Sequence, residues 1–117
     1  MNKRKTGSLW EDKACMYLSR QGYEIIERNY RCKIGEVDII ARQDDTYVFV
    51  EVKFRSDTAY GYSYEAVTPS KQRTIRKVAK YYLTVELSNT DVPCRFDVLG
   101  FDMIEGQPEI THIVNAF

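Results

Sequence analysis

The sequence has little of what disulfides, zinc sites and histidine catalysis require. It contains three widely spaced cysteines, Cys15, Cys32 and Cys94, and a single histidine, His112. An odd number of cysteines without paired spacing indicates neither a disulfide framework nor a zinc site. A lone histidine has no obvious catalytic partner. Acid–base chemistry in this chain is therefore expected from carboxylates and lysines.

Long apolar runs are also missing. The longest candidate is interrupted by Glu51 and Lys53, and no stretch approaches the roughly 18 to 20 residues of a membrane span. The basic residues at positions 3–5 are not followed by the apolar core of a signal peptide. Reduced thiols and the lack of an export signal predict a cytoplasmic protein that does not associate with membranes.

The composition predicts one globular domain. The chain has 117 residues, of which 44% are hydrophobic and 29% charged, within the range of compact single domains. We expect a basic, flexible N-terminal arm over residues 1–7 and one domain over residues 8–117. Because 17 basic residues balance 17 acidic ones, binding through charge depends on local clusters.

Local patterns predict the element order αβββαββ. Ser8 with Glu11 three residues later matches a capping box at the start of a first helix, and Gly22 marks its end. Thr68-Pro69 is typical of the start of a second helix. Runs rich in β-branched and aromatic residues predict the five strands. The expected fold is α/β of the α+β type, a mixed central sheet with helices packed against it.

A predicted hairpin in the middle of the chain brings two acids together. With Asp44-Asp45 as its turn, the strands place Asp38 opposite Glu51. Like charges on directly opposed residues destabilise a sheet, so the pair favours a bound cation such as Mg²⁺. In the alternative interpretation, Lys53 and a nearby arginine neutralise the acids on a solvated face. The same register sets Ile40 against Phe49 and Glu36 against Lys53.

These residues also carry a resemblance to known nucleases. Asp38 followed by Glu51-Val52-Lys53 resembles the core signature of the PD-(D/E)XK superfamily, with its restriction-endonuclease-like, Holliday-junction-resolvase-like fold. Val37 stands where the superfamily pattern has proline. The wider sequence resembles the small bacterial YraN family of predicted endonucleases, in the segments Asn29-Tyr30-Arg31, Gly35-Glu36-Val37-Asp38, Val48 to Arg55, Gly61, Glu65-Ala66-Val67, Lys71 and Arg95 to Val98.

The resemblance implies a metal-dependent endonuclease that hydrolyses phosphodiester bonds of DNA, including branched or structured DNA. It implies that Asp38 and Glu51 hold Mg²⁺ or Mn²⁺ while Lys53 orients water or stabilises negative charge. Glu11 is implied as a third carboxylate and metal ligand, in competition with its capping role. A catalytically inert nucleic-acid-binding or assembly module with the same fold is the alternative. The predicted catalytic residues are Asp38, Glu51, Lys53 and Glu11. Glu36 and Gln72 are predicted to support them without contacting the metal or the substrate.

The second predicted helix carries a row of cations. Between Pro69 and Lys80 there are five positive charges and no acid. Such a stripe can follow a phosphate backbone, although lysine-rich helix faces also occur for solubility alone. We predict DNA contacts from Arg55, Lys71, Arg73, Arg76, Lys77 and Lys80.

Three further features leave their roles open. The segment 55–67 contains Tyr60, Tyr62 and Tyr64, and is either a packed surface loop or a lid whose tyrosines stack on bases. Arg95 and Asp97 share a strand face, which predicts a charge pair. Residues 110–117 are a candidate edge for a homodimer, whose existence the sequence does not decide.

Overall fold

The computed structural model describes the backbone of residues 3–57, 59 and 61–117, and within these ranges the side chains from residue 9 onward. The predicted order αβββαββ is confirmed, with one short 3₁₀ turn at Ser63–Ala66. The elements are α1 (Lys3–Arg20), β1 (Glu24–Cys32), β2 (Gly35–Gln43), β3 (Thr46–Arg55), α2 (Pro69–Val85), β4 (Cys94–Ile104) and β5 (Gln107–Ile113).

The first helix begins earlier than the sequence predicts. Its backbone is helical from Lys3, so Ser8 lies inside α1 and the predicted capping box at Ser8 is wrong. The basic residues before Ser8 are good helix formers, and helix propagation through them costs little. Residues 1 and 2 of the predicted arm lie outside the described residues. Gly22 ends the helix as predicted, with φ +91°.

The five strands form one mixed sheet in the order β1-β2-β3-β4-β5. The β1-β2-β3 meander and the β4-β5 pair are antiparallel, whereas β3 and β4 are parallel. A parallel pair needs a long crossover, and α2 supplies it. Ile40 pairs with Phe49 as predicted, which confirms the turn at Asp44-Asp45.

The sheet is covered by one helix on each face. On one face α1 buries Trp10, Ala14 and Leu18 against the sheet, and on the other α2 buries its apolar stripe. Thr68 caps α2 by accepting a hydrogen bond from the Lys71 amide at 3.2 Å, as predicted. Within the described residues, no helix is long and apolar enough to cross a membrane. The buried residues of α2 are the predicted ones, Ile75, Val78, Ala79, Tyr82 and Leu83.

A buried polar network joins β4 to the C-terminal end of the chain. Asp97 is fully buried, accepts a hydrogen bond from Arg95 Nε at 3.1 Å, and lies 2.8 Å from His112 Nε2. Burial raises the pKa of Asp97, but the hydrogen bonds from His112 and Arg95 outweigh it, so the pKa lies below its usual value. The predicted Arg95–Asp97 pair is confirmed. His112 has a structural partner that the sequence did not reveal.

The segment after β3 is fastened to the sheet at Ser63. The buried Ser63 donates from its amide and its hydroxyl to the two carboxylate oxygens of Asp102, at 2.8 and 2.7 Å. Gly100 makes this approach possible, because a Cβ there would lie 2.2 Å from Ser63 Oγ. This part of the segment is therefore packed, as the first alternative predicted, and the rings of Tyr62 and Tyr64 stack on each other. Tyr60 lies outside the described residues.

We expect Gly100→Ala to destabilise the protein by about 1–3 kcal/mol, because the new methyl group overlaps Ser63 Oγ. Ser63→Ala alone should also destabilise it, since it leaves an oxygen of buried Asp102 without its donor. In the double variant the overlap with Oγ is gone, so the loss should be smaller than the sum of the two. Urea unfolding of the three variants measures this coupling, and additivity within about 0.5 kcal/mol would contradict the close approach.

Candidate active site

The site lies where β2 and β3 separate. Starting from the hairpin turn, the two strands pair only as far as Ile39 and Val50. Just beyond this last pair, the amide of Val52 donates to Asp38 Oδ2 at 2.8 Å. Here a side chain of β2, rather than its backbone, contacts β3. β3 continues to pair with β4 as far as Arg55, and this pairing holds Glu51 in place. Asp38 and Glu51 thus meet at a fork in the sheet, next to the ladder rather than within it.

The course of β2 is irregular at Asp38. Val37 and Ile40 both belong to the core on the α2 face, although they are three residues apart, whereas Ile39 belongs to the α1 face. A regular strand changes face at every residue, so the alternation is interrupted between Val37 and Ile40. On β1, Asn29 lies between the residues paired with Val37 and Ile39, and its φ is +53°. Irregularities of this kind redirect side chains next to functional sites.

The two carboxyl groups are close enough to share a proton. Burial, followed by the hydrogen bond and the charge of Glu51, raises the pKa of Asp38 to about 8. The Val52 amide and the charge of Lys71 act in the opposite direction. Glu51 is only 5% exposed, and its buried Oε2 accepts no hydrogen bond from any described residue. Lys71 Nζ lies 3.7 Å from that oxygen.

Both acids open into a cleft of about 360 Å³ beside α1. Trp10 and Phe54 form an apolar part of its wall, with their rings stacked at a centroid distance of 4.4 Å. The remaining wall is strongly charged. The structure brings all four predicted catalytic residues to this cleft, together with one of the two supporting residues and one predicted DNA contact: Asp38, Glu51, Lys53, Glu11, Glu36 and Lys71.

Glu11 lies at the edge of the acid pair. Its carboxylate is 4.0 Å from Arg28, which in turn makes a 2.6 Å ion pair with Asp12. Burial raises the pKa of Glu11, a hydrogen bond with Asn29 lowers it, and the charge of Asp38 raises it further. Among the described residues, no three acid, histidine or cysteine side chains come close enough to hold one metal ion. The geometry therefore joins two of the three predicted carboxylates, and the metal role of Glu11 stays a prediction.

Two predicted supporting residues have other partners. Glu36 lines the cleft, but its Oε2 makes a 2.8 Å ion pair with Arg31 Nε instead of pairing with Lys53. The predicted Glu36–Lys53 pair is absent from the ladder because β2 and β3 have already separated there. The side-chain amide of Gln72 donates to the Val67 carbonyl at 3.1 Å, and so fastens the start of α2.

The cations of α2 divide into two groups. Lys71 reaches the carboxylates, although the sequence patterns predicted it only as a DNA contact. Its spacing held the signal, because Lys71 precedes Ile75 by four residues and Val78 by seven and so shares the helix side that faces the sheet. The other basic residues point outward, and the guanidinium of Arg76 lies 5.6 Å from the ring centroids of Phe96 and Phe117. Arg73, Lys77, Lys80 and, on β3, Arg55 are exposed and form no ion pair with any described residue.

Known proteins similar to this chain match it over its whole length. A "UPF0102 protein" of Lachnoclostridium phytofermentans is 49% identical over 117 residues, covering 100% of this chain and 96% of its own. Proteins of the same name from Caldicellulosiruptor saccharolyticus and Alkaliphilus oremlandii are each 48% identical and covered completely. The family model of "Uncharacterised protein family UPF0102" matches residues 10–101, the range that contains every charged residue of the cleft. The chain therefore belongs to the uncharacterised protein family UPF0102, in agreement with the YraN resemblance of its motifs.

Proposed function

We propose that this protein is a divalent-metal-dependent endonuclease of the PD-(D/E)XK type that hydrolyses phosphodiester bonds of DNA. One observation carries the proposal. Two carboxyl side chains meet at a fork of the sheet, and two lysines, Lys53 and Lys71, line the same cleft. Paired acids next to cations provide both a site for a metal ion and a place for the charge of a phosphate.

The residues present fit a small, hard cation. Mg²⁺ and Mn²⁺ prefer oxygen ligands, and Mg²⁺ is commonly held by one or two carboxylates, with its remaining positions left to water and phosphate. Glu51 Oε2 is buried without a hydrogen-bond donor among the described residues, and burial together with the neighbouring Glu51 raises the pKa of Asp38 so that it keeps a proton. A divalent ion held by Asp38 and Glu51 would remove both unfavourable features. When bound, such an ion supplies Lewis acidity and lowers the pKa of water that it binds.

The lysines act on the phosphate and on the acids. Lys53 lies two residues after Glu51 on β3 and lines the cleft, where its ammonium group stabilises negative charge that develops on phosphate oxygens. Lys71 approaches from α2 to within 3.7 Å of Glu51 Oε2, and its positive charge acts to lower the pKa of Asp38. Two cations on separate elements thus line the cleft that contains the acids.

The exposed cations of α2 supply contacts that do not depend on sequence. Arg73, Lys77 and Lys80 lie further along the helix whose first turn carries Lys71. Lysine and arginine side chains bind phosphates of any sequence and so fix the position of a nucleic acid. DNA lying along α2 would bring a phosphodiester towards Lys71 and the carboxylates. A nuclease of this kind would meet its substrate in the cytoplasm.

We expect Asp38→Asn and Glu51→Gln each to lower the rate of DNA cleavage by at least about 100-fold, because both remove a carboxylate that holds the ion. Single-turnover cleavage of duplex, flapped, branched and single-stranded DNA in Mg²⁺, Mn²⁺ or EDTA measures the effect. Glu36→Gln is the matched control, since Glu36 lines the same cleft but pairs with Arg31.

The same measurement separates the nuclease from an inert module. Metal-dependent cleavage that both variants lose and the Glu36 control retains would support the nuclease. Full activity in either variant would refute the assignment of the site. If the unmodified protein binds DNA but cuts none of the four substrates, the nucleic-acid-binding alternative replaces the proposal.

Lys71 and Arg73 should differ in which step they affect. Lys71→Met removes the ammonium beside Glu51, so we expect the single-turnover rate to fall by about 10- to 100-fold with little change in DNA affinity. Arg73→Ala should weaken DNA binding and its salt dependence while it leaves the bound-state rate nearly unchanged. Fluorescence anisotropy in EDTA gives the affinity, and rapid-quench kinetics give the rate. If the two variants changed the DNA affinity and the single-turnover rate equally, Lys71 would be a phosphate contact like Arg73 and would have no role beside Glu51.

The carboxyl pair predicts a specific pH dependence of stability in EDTA. The folded state holds the Asp38 proton up to about pH 8, whereas an unfolded aspartate has a pKa of 3.8. This contribution to the free energy of unfolding is complete below about pH 4 and is lost as the pH rises towards 8, at a slope of at most about 1.4 kcal/mol per pH unit. Asp38→Asn should remove that slope, and Asp91→Asn, on the surface, should not.

Urea unfolding between pH 5 and pH 8 checks this dependence. Added Mn²⁺ should stabilise the unmodified protein more at pH 8 than at pH 5, because the ion competes with the shared proton. Identical pH slopes in the unmodified protein and in Asp38→Asn would contradict the carboxyl pair.

A further inference from the structure

The last strand of the sheet has a free edge. β5 pairs with β4 on one side and with no described strand on the other. Glu109 is the only Asp, Glu, Lys or Arg residue of β5, and Pro108 near its start is the other residue of a type that blunts natural edges. Ile110 is 43% exposed, and just beyond it Ile113 and Val114 are 36% and 53% exposed. The edge therefore offers unpaired backbone groups next to apolar side chains.

A cleft of about 380 Å³ lies between this strand and α1. Trp10 and Phe101 form its floor, with ring centroids 5.1 Å apart. Met16, 53% exposed, and Ile110 line its two walls. Aromatic residues and methionine are enriched at protein–protein interfaces relative to other surfaces. In size and lining, this cleft matches a site for side chains of a protein partner.

Two cations line this cleft. Lys13 and Arg20 line it from α1, and neither forms an ion pair with a described residue. Lys13 Nζ lies 5.7 Å from the centroid of the Trp10 ring. An apolar floor with two unpaired cations is complementary to a segment that presents both apolar and acidic side chains.

The helix and the strand run side by side in the same direction. Trp10 contacts Phe101, which pairs with Ile110, and one strand repeat later Tyr17 contacts His112. The seven helical steps from Lys13 to Arg20 span about 10.5 Å along the helix axis, with Met16 near the middle. On an extended chain, residues four apart on one face are separated by about 13 Å, with one more side chain between them. Long lysine and arginine side chains can close that difference.

We propose that this groove, formed by α1 and the edge of β5, binds an acidic extended segment of a partner protein. The segment adds to β5 as a sixth strand. Its face towards α1 follows the pattern acid–x–apolar–x–acid, with the acids at Lys13 and Arg20 and the apolar residue against Met16 and Ile110. The proposal concerns a surface outside the carboxylate cleft and does not depend on nuclease activity.

A second copy of this chain fits the groove less well. The row that β5 turns towards α1 consists of Pro108, Ile110 and His112, which contains no acid for Lys13 or Arg20. Glu109 lies on the opposite face of the strand, where it lines a cavity with Tyr62 and Asp102. Charge complementarity therefore favours a foreign acidic segment over pairing of two β5 edges.

The test is a titration of ¹⁵N-labelled protein with a seven-residue peptide, acetylated and amidated, with the sequence serine, aspartate, threonine, isoleucine, threonine, aspartate, serine. We expect saturable amide shifts confined to β5 and to α1 between Lys13 and Gln21. The double variant Lys13→Glu/Arg20→Glu should raise the Kd at least about fivefold. Both residues are exposed, so the fold should persist, and Lys33→Glu, in the β1–β2 turn, is the matched control.

Two modified peptides test the two parts of the proposal. Replacing both aspartates by lysine should abolish binding. Of two forms with N-methyl groups on alternate amides, one should lose binding and the other should retain it, since only every second amide of an added strand faces β5.

Other outcomes would overturn the proposal. These are the absence of saturable binding up to about 1 mM peptide, unchanged affinity in the double variant, or equal affinity of both methylated forms. The same is true if single-stranded DNA, but not the peptide, shifts these amides. If sedimentation showed a dimer, and the β5 amides were protected from hydrogen exchange in it, the partner at this edge would instead be a second copy of the chain.

Discussion

The hydrogen bond from the Val52 amide to Asp38 Oδ2 fixes the geometry on which the candidate site depends. An amide in a sheet normally meets a backbone carbonyl, and here it meets a carboxylate of the neighbouring strand. The bond lets β2 leave β3 without an unsatisfied buried donor. It also sets the Asp38 carboxyl group beside Glu51, which the β3–β4 pairing holds from the other side. The same hydrogen bond thus accounts for both the fork of the sheet and the proximity of the two acids.

Such a fork carries an energetic cost that the rest of the fold must offset. Two carboxyl groups in contact repel each other when both are charged, and Lys71, 3.7 Å from Glu51, neutralises only part of that charge. The apolar residues on both sides of the fork are among the best buried in the chain, including Ile39, Ile40, Phe49 and Val50. Their burial holds the acids together in the absence of an ion. This arrangement is expected of a site organised for binding rather than for stability.

Sequence patterns predicted most of the fold because its signals are local. The turn at Asp44-Asp45 fixed the register of the hairpin, and Thr68 with Pro69 marked the start of α2. The start of α1 was missed because the capping pattern at Ser8 also occurs inside helices, and no proline precedes it; Gly7 disfavours a helix without ending it. Non-local contacts were out of reach of such patterns, as the partnership of His112 with Asp97, fifteen residues apart on adjacent strands, demonstrates.

The candidate site was predictable in its acids but not in its cations. Counting along the hairpin predicted that Asp38 and Glu51 lie close together, although the predicted ladder pair between them is absent because the ladder ends one pair before it. The position of Lys71 depends instead on how α2 crosses the sheet. Regular counting also placed Glu36 against Lys53, and it failed there because the ladder ends at Ile39 and Val50, three pairs earlier. The error has the same cause as the site itself. A ladder that continued regularly to residue 36 would have paired the backbones of Asp38 and Glu51 within the sheet and left no fork at which their side chains open into a cleft.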